Sequence, residues 1–343
     1  MNLNPLKKYV SILISVFIVS ITFSLRGTEL GPSSASILAN TLYYLYQPIA
    51  ILLPHPEVRK ILYETKTPYF HIRIELDETG NRHLVFLPQK GSQSIYNPDK
   101  PDKIVSGYAK YGFLALLAFE QPPQRVLFVG IGGGIMPMYL RKHFPETRIE
   151  IVEIDKNILA IAEKYFGFGK DSKMNIFFED GRGFVNKSKE KYDIIFLDVY
   201  NAEGIPFQFT TVEFFFEIKK KLNTNGILSI NLANFGQDKF IATELNTIYE
   251  IFPNTFIFAS EGNTNYIPIS FNSPKANFSD LNKNAISIDE KKQFNITFKE
   301  MLNKNLSKKE INKLQSKSDI ILKDDCHLNV DYTALKIYNN LNR

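Results

Sequence analysis

The chain has 343 residues, 44% of them apolar, enough to bury a sizeable core and too many for a disordered tail. A net charge of +5, from lysines scattered among asparagines and glutamates, forms no basic stripe and gives nucleic-acid binding no support. The single cysteine, Cys326, excludes a disulfide framework, and the histidines form neither a helix-face pair nor a cluster with acids, so no metal site is expected.

Residues 1–62 read as a membrane anchor. Tyr9 to Leu25 is uncharged and about 17 residues long, with Lys7 and Lys8 before it and Arg26 after it. Arg26-Gly27-Thr28-Glu29 is a poor cleavage site, so retention is favoured over removal as a signal peptide. Ser36 to Leu53 is a second uncharged run, interrupted by Pro48 and followed by Arg59 and Lys60. Two crossings would leave the remaining chain in the cytoplasm by the positive-inside rule, and one crossing would export it. The second run is the weaker span, with an interfacial helix or a helix packed on the main domain as its alternatives.

From Tyr69 the period becomes two: Phe70, Ile72, Ile74 and Leu76 alternate with Tyr69, His71, Arg73 and Glu75. A turn over Asp77 to Asn81 and a second run from His83 to Leu87 complete a hairpin, and residues 63–104 are assigned to a small β-sheet domain. Ser106 to Phe119 predicts a helix. Over 105–275 strands and helices then alternate: "RVLFV", Ile135 to His143, "RIEIVEI", Lys156 to Tyr165, "NIFFE", "YDIIFLD", Thr211 to Leu222 and "GILSINL". Strands apolar on both faces, separated by helices, predict an α/β fold with a doubly wound, mostly parallel sheet. "TFIFA" and "YIPISF" lie too close together for a parallel crossover and predict an antiparallel hairpin at one edge. Residues 276–343, with helix-spaced Phe294, Phe298, Met301 and Leu302, read as solvated helices and a tail.

Ligands of such a sheet bind at the carboxyl ends of its strands. After the first strand, Gly130, Gly132 and Gly134 bare the backbone ahead of a helix N-terminus. Glu153 ends the second strand about 20 residues on, where an acid holds ribose hydroxyls. The third ends in Glu179-Asp180-Gly181, where a carboxylate can accept from an adenine amine, and the fourth in Asp198. Ile135 stands where a nicotinamide fingerprint needs glycine, so the pattern suits a nucleoside-sulfonium better than a dinucleotide. Glu153 or Asp180 alone reads as a solvated strand end, and Asp198 alone as an acid that caps its loop. Their succession at consecutive strand ends is what indicates a nucleoside site.

With "VLFVGIGGG", "VEID", "EDGR" and above all "YDIIFLDVYNAEGIPFQFTTVEFF", the chain from Tyr69 to Phe271, and more loosely to 322–332, resembles the spermidine synthase family and its spermidine-synthase-like relatives. The resemblance implies a small β-domain on a Rossmann-like class I S-adenosylmethionine-type domain. It implies transfer of an aminopropyl group from decarboxylated S-adenosylmethionine to a small amine such as a polyamine, releasing methylthioadenosine. Carried over by position, Glu153 would hold the ribose, Asp180 with Gly181 the adenine, Gln93 the donor, Tyr108 the acceptor, and Asp198 would take the proton from the attacking amine. The chain departs from the family pattern at Ala109 and Lys110, which replace His and Glu, at Gly133, which replaces the loop acid, and at Asn201, which replaces a second acid. Each removes or reverses negative charge, so methyl transfer from intact S-adenosylmethionine, or binding without turnover, stays open. A homo-oligomer is left open too.

Overall fold

The computed structural model describes residues 59–325 apart from 89–90, 202–203, 235–237, 275–276 and 292–293. The anchor reading of Tyr9 to Leu25 and Ser36 to Leu53 lies outside the described residues, as does Cys326. Among the described residues no helix is long and apolar enough to cross a membrane.

The unit that begins at Lys60 opens with an antiparallel meander of β1 (Lys60–Lys66), β2 (His71–Leu76), β3 (Arg82–Leu87) and β4 (Ser92–Tyr96). The predicted hairpin is β2–β3, with Ile72 and Ile74 fully buried on its inner face. Two strands went unpredicted. β1 exposes residues along its whole length, Ile61 at 51% among them, so its sequence lacks the alternation of a half-buried strand. The sheet therefore starts at Lys60, and the boundary drawn at 63 moves back into what was assigned to the anchor. His83 also has a use that its isolation in sequence concealed. Its Nε2 lies 2.9 Å from Asp77 Oδ2 and its Nδ1 2.8 Å from Ser92 Oγ, pinning the β2–β3 turn to β4.

Ser106 to Phe119 divides into α1 (Gly107–Gly112) and a 3₁₀ helix, Phe113–Ala118. The run from Phe113 to Leu117 has no polar face and is buried all round. Then come β5 (Arg125–Val129), α2 (Ile135–His143), β6 (Arg148–Glu153), α3 (Lys156–Phe166), β7 (Met174–Phe178), α4 (Gly181–Lys187), β8 (Tyr192–Leu197), α5 (Val212–Lys221), β9 (Leu222–Ile230) and β10 (Leu232–Ala233). After α6 (Asp238–Ile251), the hairpin of β11 (Thr255–Ala259) and β12 (Asn265–Phe271) joins the same sheet. Strands β7, β6, β5, β8 and β9 run parallel in that spatial order, and β12 lies antiparallel against β9 and β11, as the short connection requires. Both faces are covered. Val126, Phe128, Ile194 and Phe196 belong to one hydrophobic core, and the alternate residues Leu127, Val129, Ile195 and Leu197 to the other.

The C-terminal extension corrects the solvated reading. In α7 (Phe278–Glu290) Leu281 and Ala285 are buried, and in α8 (Phe298–Leu302) so are Phe298, Met301 and Leu302, all in the core that contains β5. In α9 (Lys308–Gln315) no residue is fully buried, but Ile311 and Leu314 pack half-buried against the other core. Beyond it, Asp324 takes a two-pronged contact from the Arg182 guanidinium at 2.8 Å and a bond from Thr211 Oγ1 at 2.7 Å, strapping the chain across α4 and the start of α5.

Candidate active site

Chain order reverses around β5: β6 and β7 lie on one side, β8 and β9 on the other. The crevice at that reversal, outside the carboxyl ends of the strands, is where open α/β sheets bind ligands. Here it is a cleft of about 510 Å³, walled on its open side by Tyr69, Phe70, Phe86 and Gln93 of the small sheet. Phe70 and Phe86 stack at 4.3 Å, giving that wall a rigid apolar face.

Gly130, Gly132, Glu153, Asp180, Gly181 and Asp198 all line this cleft, so the four strand ends singled out in sequence do converge. The glycines have a different immediate cause from the expected one. A Cβ on Gly130 would stand 2.3 Å from the carbonyl oxygen of Asp198, and one on Gly132 2.9 Å from Ser94 Oγ. Gly134 does not line the cleft. It turns the chain into α2 with φ of 71°, and a Cβ there would meet the Phe168 ring at 2.3 Å. Bare backbone is thus demanded first by the protein's own close approaches, and of these three only Gly130 and Gly132 also line the cleft.

Glu153 is buried and ties the site together. Its Oε2 accepts from the Ile131 amide at 3.2 Å and its Oε1 from the Asp155 amide at 2.9 Å. Burial raises its pKa, and these backbone donors work against that rise. The Ile154 amide is a third backbone donor, and a carboxylate accepts about four hydrogen bonds, so capacity remains for a ribose hydroxyl. Asp180 caps α4 by accepting from the Gly183 amide at 2.8 Å through Oδ1, which leaves Oδ2 for an amine in the cleft. Between them Ile154, still 37% exposed, offers an apolar face to a flat ring.

Asp198 is half-buried on the cleft floor. Loss of bulk water pushes its carboxyl up to about 6, against the pull of hydrogen bonds from Asn231 and Tyr108. Tyr108 itself stands in the wall behind Asp198 and does not line the cleft. Its hydroxyl lies 2.6 Å from the Gln93 carbonyl and within hydrogen-bond reach of the Asp198 carboxylate, and its single proton serves one of these two acceptors at a time. Burial drives the Tyr108 pKa up, so it stays a neutral donor. Sequence reasoning overlooked Asn231, whose Nδ2 donates to Asp198 Oδ1 at 2.8 Å, and Ser94, whose Oγ accepts from the Gly133 amide at 2.9 Å. A single asparagine at a strand end and a serine 39 positions before its partner carry no periodic signal.

Charge decides what the cleft can hold. Among its described lining residues stand the carboxylates of Glu153, Asp180 and Asp198 and no lysine or arginine. Such a cleft attracts a sulfonium or ammonium and repels a pyrophosphate. No group of three potential metal ligands occurs among the described residues.

Residues 114–261 match the family model of the spermine/spermidine synthase domain. A polyamine aminopropyltransferase of Vibrio vulnificus is 33% identical over 204 residues, 58% of this chain and 67% of the relative. The chain belongs to the spermine/spermidine synthase family. Its fold agrees: the crystal structure of a probable spermidine synthase from Corynebacterium glutamicum superposes with a TM-score of 0.60 at 18% identity, covering 76% of this chain and 96% of that one. A second kind of relative is an eEF1A lysine and N-terminal methyltransferase of Xenopus laevis, 32% identical over 138 residues, 37% of this chain but only 20% of that protein. Membership of the spermine/spermidine synthase family makes the protein a transferase.

Proposed function

We propose that this cleft moves an aminopropyl group from decarboxylated S-adenosylmethionine to a small amine, with Asp198 as the base. The observation that carries the reading is the convergence of Glu153, Asp180 and Asp198 on one cation-free cleft. Glu153 would take a ribose hydroxyl, Asp180 Oδ2 the adenine amine, and Gly130, Gly132, Gly181 and Gln93 would shape the donor's bed. An alkylammonium, with a pKa of about 10, is no nucleophile until it loses a proton. Asp198 accepts that proton, the freed nitrogen lone pair attacks the carbon next to sulfur, and the carbon–sulfur bond breaks with its electrons going to sulfur. The products are a secondary ammonium and neutral methylthioadenosine, so charge and atoms balance. A sulfonium is already a good leaving group, and the protein supplies alignment and proton transfer.

A second reading, methyl transfer from S-adenosylmethionine, is favoured by Gly133. Ser94 Cβ and Phe166 Cδ1 would each stand 2.9 Å from a Cβ there, so this loop has no room for the acid that would bind the free amine of the decarboxylated donor. One experiment separates the readings: the full-length protein is incubated with each donor and a panel of mono-, di- and polyamines. Methylthioadenosine is the expected product. S-adenosylhomocysteine would establish methyl transfer, and neither product with any acceptor would leave a binding protein.

The uncharged run Tyr9 to Leu25, preceded by Lys7 and Lys8, supports a membrane tether, and a second crossing by Ser36 to Leu53, followed by Arg59 and Lys60, would keep the catalytic domain on the cytoplasmic side. The full-length chain is then expected to sediment with membranes and to need detergent for release. Recovery in the soluble fraction without detergent rejects the tether.

A further inference from the structure

We propose that Asn265 is a positioning residue for Asp198, acting through Asn231, whose amide it holds in the one orientation that donates to the carboxylate. This rests on the reading of Asp198 as the base. Asn231 follows β9, and Asn265 opens β12 opposite Ala233, two places along the same ladder, so the two side chains share a face. Asn265 Nδ2 donates to Asn231 Oδ1 at 2.8 Å, and Asn231 Nδ2 donates to Asp198 Oδ1 at 2.8 Å. Neither asparagine lines the cleft, so both act from behind the base.

A side-chain amide can rotate by half a turn and exchange its donor for its acceptor. An ionised carboxylate only accepts, so a rotated Asn231 would set its oxygen against the Asp198 oxygen. Everything else about Asn231 is already fixed. Its backbone N–H donates to Leu197 O at 3.0 Å, and its carbonyl accepts from the Tyr200 hydroxyl at 2.7 Å. That hydroxyl in turn accepts from the Ala233 amide at 2.7 Å. Asn265 is equally anchored, exchanging backbone and side-chain bonds with Ser260, each 2.9 Å long. The side-chain torsion of Asn231 is the freedom left, and the Asn265 donor removes it.

The space behind Asp198 amounts to about 10 Å³, room for a single water at most. Bulk solvent therefore does not reach this side of the carboxylate, and its donors here are protein groups and one water at most. Other ionisable groups also face Asp198: Tyr108 from α1 and Tyr200 from the loop after β8, with Glu153 and Asp180 across the cleft, while Glu244 of α6 acts on Tyr200. Exchange of Asn265 for alanine changes the charge of none of them. A shift in Asp198 titration would then report the amide relay alone.

The test follows the Asp198 carboxyl by carbon-13 NMR in aspartate-labelled full-length protein, with Asp198→Asn identifying the resonance. The wild-type midpoint is expected at about 6. In Asn265→Ala it should rise by roughly half a unit to one unit, because the ionised form loses its oriented donor. Asn265→Ser, too short to reach Asn231, should move it the same way and serves if the alanine variant folds poorly. Methylthioadenosine affinity, measured by calorimetry, should not change in either. An unchanged midpoint in both variants overturns the relay, as does a fall in nucleoside affinity parallel to a fall in Tm. Substantial turnover in Asp198→Asn would instead remove the base assignment, whichever way the resonance moves.

Discussion

Asp198→Asn is expected to cut turnover by roughly a thousandfold while leaving methylthioadenosine affinity unchanged. The side chain keeps its size and can still accept from Asn231 at the position where Asp198 Oδ1 receives that bond. What it loses is the capacity to hold a proton. The pH dependence follows from the wild-type carboxyl, pushed up to about 6 by removal from bulk water. Turnover requires the ionised form, so it should fall as pH drops through about 6. Stability should move in the opposite sense. A folded value near 6 against about 3.9 in the unfolded chain means that folding disfavours the charged form. The stability contributed by this group is complete below about pH 4 and is lost as pH rises through about 6. An amide does not titrate, so the variant should be more stable than wild type above pH 6, by an amount on the order of 1 to 2 kcal/mol once solvent access to a half-buried group is allowed for. The gap should close toward pH 4. Thermal unfolding at pH 4 and pH 8, beside product formation, checks both halves. An inactive variant less stable than wild type at both pH values would mean a damaged fold, and an active one would remove Asp198 from the mechanism.

That a base could be found from sequence, while the asparagines behind it could not, has a physical reason. Strand ends were legible because β5 and β8 are apolar on both faces and β6 and β7 stand beside them in the same strand–helix alternation, so the acids at the ends of β6, β7 and β8 mark the crevice. Gly134 had the right residue type and the wrong reason. The Phe168 ring that forbids its side chain lies 34 positions away and leaves no mark in the local pattern. Tyr108, which the resemblance puts at the acceptor, packs its ring against the core and stands behind Asp198, a placement that depends on tertiary packing and leaves no local pattern. β1 was missed because an edge strand with little buried surface has no apolar alternation to read. The extension after β12 looked solvated because lysine and asparagine dominate its composition, although Leu281, Ala285, Phe298, Met301 and Leu302 sit at the spacing that seals the core.

Gly130→Ala should be the most damaging single-methyl change in the site, lowering stability by about 2 to 5 kcal/mol and weakening methylthioadenosine binding at least tenfold. Gly130 has φ of 93°, a region in which an L-residue is strained wherever it stands. The added Cβ would also meet the Asp198 carbonyl oxygen at 2.3 Å and its carbon at 3.2 Å, and backbone cannot rotate away as a flexible side chain can. Relief by moving the chain is blocked on both sides. The Gly130 amide donates to Val152 O at 2.9 Å, and the Asp198 amide donates to Val129 O at 3.0 Å. The ends of β6, β5 and β8 are therefore clamped to one another at this residue, and separating β5 from β8 would carry Asp198 away from Glu153. The proton acceptor and the nucleoside anchor would lose their common geometry in one step, so stability and ligand affinity should fall together. Gly169→Ala is the control, an exposed glycine with negative or extended backbone and nothing within 4 Å of an added Cβ, and it should change stability by no more than about 0.5 kcal/mol. Chemical denaturation and calorimetric titration of both variants decide the matter. If Gly130→Ala matched Gly169→Ala in both, the close approach of the β5 and β8 ends would not be what holds the base over the nucleoside site.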